Sequence, residues 1–162
     1  MSLKEELEKE ARDKEALAKY VQEALPKLLG AVQSLFRTLE QYLADVLSDG
    51  LATKDYGKTT LKPKHWDEVF FPVLMVSVRK QVIEIAPFGP VLGSRCRVDM
   101  SCGAKTFFLS WDGDGNGAEH WTIKSSERAL EGPQQLTKGR FEHALQTLIE
   151  LCDVRSDNHI TG

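Results

Sequence analysis

Apolar residues recur at alternating steps of four and three along the first 48 residues of the chain. The register starts at Leu7 and continues to Val46, with Lys14 as the charged exception. Such a stripe stays on one side of a helix and faces a partner helix, as in a coiled coil. The pattern predicts one helix over residues 3–48, capped by Gly50, with a dimer interface at Leu7, Ala11, Ala18, Val21, Leu25, Leu28 and Val32.

The predicted helix changes character at Pro26. About half of the residues from Ser2 to Ala24 are charged, whereas from Leu28 onward a second apolar row widens the stripe to that of a core-facing helix. Pro26 costs about 3 kcal/mol inside a helix, because it lacks an N–H and collides with the preceding turn. Since no turn-forming residues precede it, we expect a kink rather than two separate helices. Residues 1–50 are therefore predicted to form a helical oligomerisation arm.

The second part of the chain carries β-rich or alternating runs. They predict an antiparallel meander of four to five strands over residues 73–78, 82–86, 95–102, 105–111 and 120–124. Thr137 is positioned to cap a last helix, whose apolar stripe ends at Cys152. The predicted fold class is α+β, with the C-terminal helix packed on the sheet. The predicted boundaries are a connector over 51–68, an α+β body over 69–153 and a flexible tail over 154–162.

One short motif carries ligand chemistry. Asp112-Gly113-Asp114-Gly115-Asn116-Gly117 resembles the first half of an EF-hand calcium loop, with oxygen ligands at alternate positions and a glycine for the sharp turn. The second half departs from that pattern, since Ile123 stands where the EF-hand has a bidentate glutamate, and the flanks are predicted strands. A simple hairpin turn uses the same dipeptides. The resemblance implies a weak calcium site with the ligands Asp112, Asp114, Asn116 and Glu119.

The outward face of the predicted sheet carries cationic side chains. Arg95, Arg97, His120 and Lys124 share this face with short polar residues. A face of this kind can bind a partner or an anionic ligand, and an ordinary solvated sheet face has the same composition. Both interpretations fit the sequence.

Composition and charge narrow the classes of function. The chain has 21 Lys and Arg residues and 24 Asp and Glu residues, which gives a net charge of −3. It therefore lacks the excess of basic residues that is typical of nucleic-acid-binding proteins. No apolar run reaches the roughly 18 residues of a membrane span, and the charged N-terminus does not resemble a secretory signal. The cysteines Cys96, Cys102 and Cys152 lack zinc-binding spacing, and they predict reduced thiols in a cytoplasmic protein.

Three functions are compatible with these features. The favoured one is a non-enzymatic protein–protein interaction or adaptor protein that self-associates through the heptad-patterned helix, with a different protein as the alternative partner. The second is a ligand- or calcium-binding module that uses the loop from Asp112 to Asn116. The third is an enzyme of unidentified reaction, whose best indication would be a deep pocket that holds His120 or His143 beside a carboxylate. No cofactor other than calcium is predicted.

Overall fold

A computed structural model describes residues 2–61, 69–90, 96–127 and 132–161. In it, helices and an antiparallel sheet share one hydrophobic core. Within these ranges the predicted α+β class is confirmed, and seven strands form one sheet in chain order instead of the four to five predicted. The helices are α1 (Leu3–Tyr42), α2 (Ala44–Ser48) and α3 (Lys138–Thr161). The strands are β1 (Ala52–Leu61), β2 (Val69–Val78), β3 (Gln81–Pro90), β4 (Cys96–Cys102), β5 (Lys105–Trp111), β6 (Trp121–Ser125) and β7 (Gln134–Gln135).

The first helix, α1, runs without interruption through Pro26. It begins with a capping box, in which the Ser2 hydroxyl accepts a hydrogen bond from the Glu5 amide and the Glu5 carboxylate accepts one from the Ser2 amide. This exchange satisfies two amides that a helix start leaves without partners. The expectation that Pro26 does not separate two helices is therefore confirmed.

The helical region ends where the sequence places its cap. Gly50 adopts a left-handed backbone conformation, with φ +73°. The amides of Gly50 and Leu51 donate to the carbonyls of Leu47 and Val46, at 3.2 and 3.0 Å. This pair of bonds is a Schellman motif, which a glycine makes without strain because it has no Cβ.

The second half of α1 is part of the core. Its apolar stripe packs against the sheet and α3, and these side chains expose 2% or less of their surface: Leu28, Ala31, Val32, Leu35, Phe36 and Leu39. The opposing buried side chains come from alternate positions of the strands, among them Leu74, Val76, Ile83, Ile85, Val98, Met100, Leu109 and Trp121. The widening of the stripe after Leu28 thus marks the point at which the helix meets its own sheet.

Residues 52–61 form strand β1, although they fall within the predicted connector 51–68. Every residue of β1 has a partner in β2, from Ala52 opposite Val78 to Leu61 opposite Val69. β1 lies at the edge of the sheet, and its lysines Lys54 and Lys58 are exposed. Charged edge strands avoid edge-to-edge aggregation, and their polar composition resembles that of a loop. The predicted connector is therefore corrected over 52–61, and residues 62–68 lie outside the described part.

α1 is fastened to β1 by a polar cluster. The Glu40 carboxylate accepts a hydrogen bond from the Tyr56 hydroxyl and forms an ion pair with Lys54 Nζ at 3.1 Å. The Phe36 ring lies 6.4 Å from the Tyr56 ring. Burial, and then the bond to Glu40, raise the pKa of Tyr56 to about 12. Tyr56 therefore keeps its proton and stays a donor at neutral pH.

The last helix, α3, starts at the predicted cap. Arg140 N donates to the Thr137 hydroxyl at 3.2 Å. The buried stripe of α3 consists of Phe141, Ala144, Leu145, Leu148 and Cys152, as predicted, and it packs on the sheet. The helix continues to Thr161 and so includes residues 154–161 of the predicted tail, whose flexibility stays a prediction. Those residues carry no apolar period, but nothing in their composition prevents a helix from continuing.

Two of the cysteines are joined. Cys102, at the end of β4, forms a disulfide with Cys152 of α3, and their Cα atoms lie 6.2 Å apart. Cys96 is a buried free thiol, and burial raises its pKa to about 12. The prediction of reduced thiols is therefore wrong for Cys102 and Cys152. The two cysteines are 50 residues apart in the sequence, and only the docking of α3 on the sheet brings them together. Local sequence patterns therefore do not indicate the pairing.

None of the described helices combines the length and the apolar character that crossing a bilayer demands.

The disulfide predicts the outcome of a thiol count. Alkylation of the denatured, unreduced protein should label one cysteine, Cys96, out of three. Reduction should lower the free energy of unfolding by about 2–4 kcal/mol, because the bridge restricts a long loop in the unfolded chain. Mass spectrometry and urea titration measure the two effects. The variant Cys102→Ala should be insensitive to the reductant, and labelling of all three thiols in the oxidised protein would contradict the pairing.

Candidate functional site

The sheet face turned away from the helices carries polar side chains in register on β4, β5 and β6. Arg97, Ser110 and Thr122 lie side by side across these strands, and the next row consists of Asp99, Phe108 and Lys124. The intervening residues of the three strands are buried on the opposite face. The outward placement predicted for Arg97 and Lys124 is confirmed, and Arg95 lies outside the described residues.

At one end of this face, Asp112 and His120 form a side-chain pair across the β5–β6 loop. His120 Nδ1 lies 2.8 Å from Asp112 Oδ2, and the Asp112 amide donates to the His120 carbonyl at 3.0 Å. The bond to Asp112 raises the pKa of His120 above its ordinary value. The same bond lowers the pKa of Asp112. The pair is therefore an ion pair whenever His120 is protonated.

The loop between the two strands is held by further hydrogen bonds. Asp112 Oδ1 accepts from the Asp114 amide at 2.8 Å, and the Trp111 indole donates to the Gly115 carbonyl at 2.9 Å. The Ser34 hydroxyl of α1 donates to the Asn116 carbonyl at 2.6 Å. Gly115 has φ +87°, and a Cβ added there would lie 2.5 Å from His120 Nε2. Glycine is required here both for the backbone conformation and for the space beside His120.

These contacts bear on the predicted calcium ligands. Both oxygens of Asp112 have partners within the loop. Glu119 Oε1 lies 3.8 Å from His120 Nε2. Among the described residues, no group of three or more His, Cys, Asp or Glu side chains could hold a metal ion. Calcium binding by Asp112, Asp114, Asn116 and Glu119 stays a prediction. It would require the Asp112 carboxylate to give up its contact with His120 and bind the ion instead.

In the middle of the same face, the Arg97 guanidinium is held between two aromatic rings. Its central carbon lies 4.0 Å from the Phe88 ring centre and 4.6 Å from that of Phe108. Asp99 pairs with it side-on, with Oδ1 at 2.9 Å from Nε and Oδ2 at 3.4 Å from Nη2. Burial raises the pKa of Asp99, and the Arg97 charge opposes that shift. Stacking and pairing together fix the position of the guanidinium.

A groove of about 460 Å³ runs along this face. It is open rather than deep, and its lining includes the side chains of Arg97, Phe108, Ser110, His120 and Lys124. Carboxylates of Asp112 and Glu119 line the end nearest the loop. The sequence-based indication of an enzyme, a histidine beside a carboxylate, is thus met by His120, but in an open groove and with Nε2 packed over Gly115.

The predicted helical interface is divided between solvent and core. Leu7, Ala11 and Ala18 are exposed, and every described side chain from Ser2 to Glu23 is exposed as well. Leu25 is partly buried at the margin of the core. Leu28 and Val32 expose 2% and 0% of their surface, so the structure corrects their assignment: they face their own sheet instead of a partner chain. The structure does not describe the side chain of Val21.

Comparison with known proteins found no match to a protein-family model, a curated protein or a solved structure.

Two contacts at this site, one between Asp112 and His120 and one between Ser34 and Asn116, were not predicted from the sequence. The Asp112–His120 pair follows from the hairpin register, since Trp111 stands opposite Trp121 and the residues beyond them continue the outward face. The sequence offered that signal, because the two predicted strands flank the loop. The contact between Ser34 and the Asn116 carbonyl joins residues 82 positions apart, and no sequence pattern indicates it.

The Asp112–His120 pair predicts a pH dependence. The variant Asp112→Asn should bring the pKa of His120 back toward its ordinary value, measured by NMR titration of the imidazole. In the native protein the pair stabilises the fold above the unfolded-state pKa of Asp112 and below that of His120. This stabilisation should decline as pH falls through the lowered pKa of Asp112 or rises through the raised pKa of His120.

Calcium provides a control in the same titration. If the ion binds Asp112, it should lower the pKa of His120 and broaden or shift the amides of the loop. An unchanged titration curve at millimolar calcium would contradict the calcium site. A pKa of His120 that is the same in the Asp112→Asn variant would contradict the pair.

Proposed function

We propose that this chain is a non-enzymatic protein–protein interaction module that self-associates through the N-terminal half of α1. The observation that supports this proposal is the exposure of every described side chain of the helix from Ser2 to Glu23, while the same helix is anchored in the core from Leu28 onward. The free part extends about 30 Å beyond Ala24, at about 1.5 Å per residue. An isolated helix of this length is marginally stable in water, and burial of an apolar stripe stabilises it.

The charged residues beside the apolar stripe of α1 favour a second copy of this chain as the partner that covers the stripe. In the heptad that places Ala11 and Ala18 at position a, Lys14 falls at position d, within the seam. Glu10 and Glu15 fall at the flanking positions g and e. In a pair of such helices the Lys14 ammonium of each copy lies within reach of flanking glutamates of the other, which would otherwise repel each other. A charged residue inside a seam weakens a coiled coil but specifies its register.

The enzyme alternative has less support. The His120 imidazole uses Nδ1 for Asp112 and packs Nε2 over Gly115 beside Glu119. A general base needs a nitrogen that reaches the reacting proton. The arrangement suits a pair that holds the loop, and the proposed function involves no cofactor.

The compartment is a separate part of the proposal. The cytoplasmic location expected from the sequence and the Cys102–Cys152 disulfide point in opposite directions, because the cytosol keeps thiols reduced. Alkylation of the protein directly on lysis of the cells that make it distinguishes the two. Trapped thiols at Cys102 and Cys152 support the cytoplasm, and an intact bridge supports an oxidising compartment.

A pair of matched alanine variants tests self-association. Ala18 lies at the seam, and Ala16 lies at the outermost position of the same helix, with both side chains exposed in the single chain. Ala18→Asp should raise the dissociation constant of the dimer at least about tenfold, because it places a charge in an apolar interface. Ala16→Asp carries the same cost in helix propensity and should leave the dimer nearly unchanged. Sedimentation velocity over a concentration series measures both, and a monomeric native chain at every concentration would refute the proposal.

The charge pattern makes a second prediction. Lys14→Glu should dissociate the dimer, because it places a carboxylate among the glutamates at positions 10 and 15 of both copies. Lys19→Glu makes the same change at an exposed position outside the seam and should have little effect. Raising the ionic strength should reduce the difference between the two variants, since salt screens the repulsion. Equal loss of dimer in both variants would show that net charge, and not the seam, governs association.

A further inference from the structure

The groove on the outer face of the sheet is not used by the proposed self-association. It lies over β4–β6, and the core and both long helices occupy the opposite face. Its volume of about 460 Å³ falls in the range of roughly 300–1,000 Å³ that holds small ligands in proteins. Its side chains are partly sheltered, since Arg97, Phe108, Thr122 and Lys124 are all intermediate in exposure.

Three hydrogen-bond donors line neighbouring positions of the groove around Lys124. Lys124 stands beside Phe108 in the register, and the hydroxyls of Ser110 and Thr122 lie in the adjacent row. Among the described residues, no carboxylate is within ion-pair distance of Lys124, and neither hydroxyl has a side-chain hydrogen bond. An anion bound there would form charge-assisted hydrogen bonds with the Lys124 ammonium and the two hydroxyls.

The carboxylates in and beside the groove pair with Arg97 or lie next to His120, and none of them reaches Lys124. Asp99 pairs with Arg97, and Asp112 pairs with His120. Glu119 lies 3.8 Å from His120 at the loop end of the groove. Of the cations that line the described groove, Lys124 is the one with no carboxylate within ion-pair distance, so a negative group is favoured locally beside its ammonium.

Apolar surface adjoins the same position. Phe108 lines the groove, and the Phe88 ring on the far side of Arg97 is 63% exposed. A ligand that presents a flat apolar body next to its charged group would cover these rings as it pairs with Lys124.

We propose that this groove binds a small organic anion, with its carboxylate or phosphate group at Lys124, Ser110 and Thr122 and its apolar body against Phe108.

Three small probes test the site on the full-length protein. Phenyl phosphate and benzoate carry the two anionic groups on the same ring, and benzyl alcohol is a neutral analogue. Titrations followed by NMR should shift the amides of β5 and β6 around Phe108 and Thr122 for one or both anions, and not for the alcohol. Preference for one anion identifies the phosphate or the carboxylate as the natural group, and either preference supports the site.

Matched lysine variants show whether the charge is responsible. Lys124→Gln should weaken binding of the preferred anion about tenfold, the usual effect of a lost charge-assisted hydrogen bond. Lys58→Gln removes an exposed lysine from the edge strand β1 and should change nothing. Ser110→Ala, at an exposed position, should weaken binding to a smaller degree while the fold is kept.

Three outcomes would overturn the proposal. If neither anion shifts the β5–β6 amides at millimolar concentration, the groove is a solvated sheet face. If benzyl alcohol binds as tightly as the anions, the groove is purely apolar. If Lys124→Gln binds the anion as well as the native chain does, the anion binds elsewhere.

Discussion

The structure depends on the burial of the second half of α1 against the sheet. Leu28, Val32 and Leu39 enter the same core as the inner faces of the strands, and Phe36 and Glu40 join the helix to Tyr56 of the edge strand. The helix is continuous across Pro26, so the position of the exposed N-terminal half is set by the core, and not by a flexible linker. A helix anchored at one end and apolar along part of its free end is suited to pairing with another helix.

The same anchoring explains why only part of the heptad pattern is available to a partner. A four-three spacing records which side of a helix is apolar, but not what covers that side. Leu7 and Leu28 belong to one register, and the structure exposes the first and buries the second. The second apolar row that begins near Leu29 was the distinguishing signal, since a globular sheet covers a wider stripe than a single helix does. The sequence therefore predicted the helix, but it did not separate the residues that face the sheet from those that are exposed.

The errors share a physical cause, which is that long-range pairing leaves little trace in local composition. Strand β1 is polar because it lies at the edge, where Lys58 is exposed, Lys54 pairs with Glu40 of α1 and the backbone pairs with β2 on one side. Cys102 and Cys152 are separated by 50 residues and meet because α3 docks on β4. By contrast, the alternation of Cys96 to Cys102 and the caps at Gly50 and Thr137 were predictable, since short-range geometry determines them.

The candidate site shows how a motif can be used by its own fold. The carboxylates of an EF-hand half-loop point to one centre only when the turning backbone leaves them free. Here the hairpin register brings His120 opposite Asp112, and the Asp114 amide takes the other Asp112 oxygen. Both oxygens of Asp112 thereby have partners within the loop. Four residues after His120, on the same face of β6, Lys124 has no carboxylate within ion-pair distance among the described residues. We therefore expect ligand recognition on this face at Lys124, whose ammonium has no carboxylate partner among the described residues. The carboxylate of Asp112 in the motif is instead occupied by contacts within the loop.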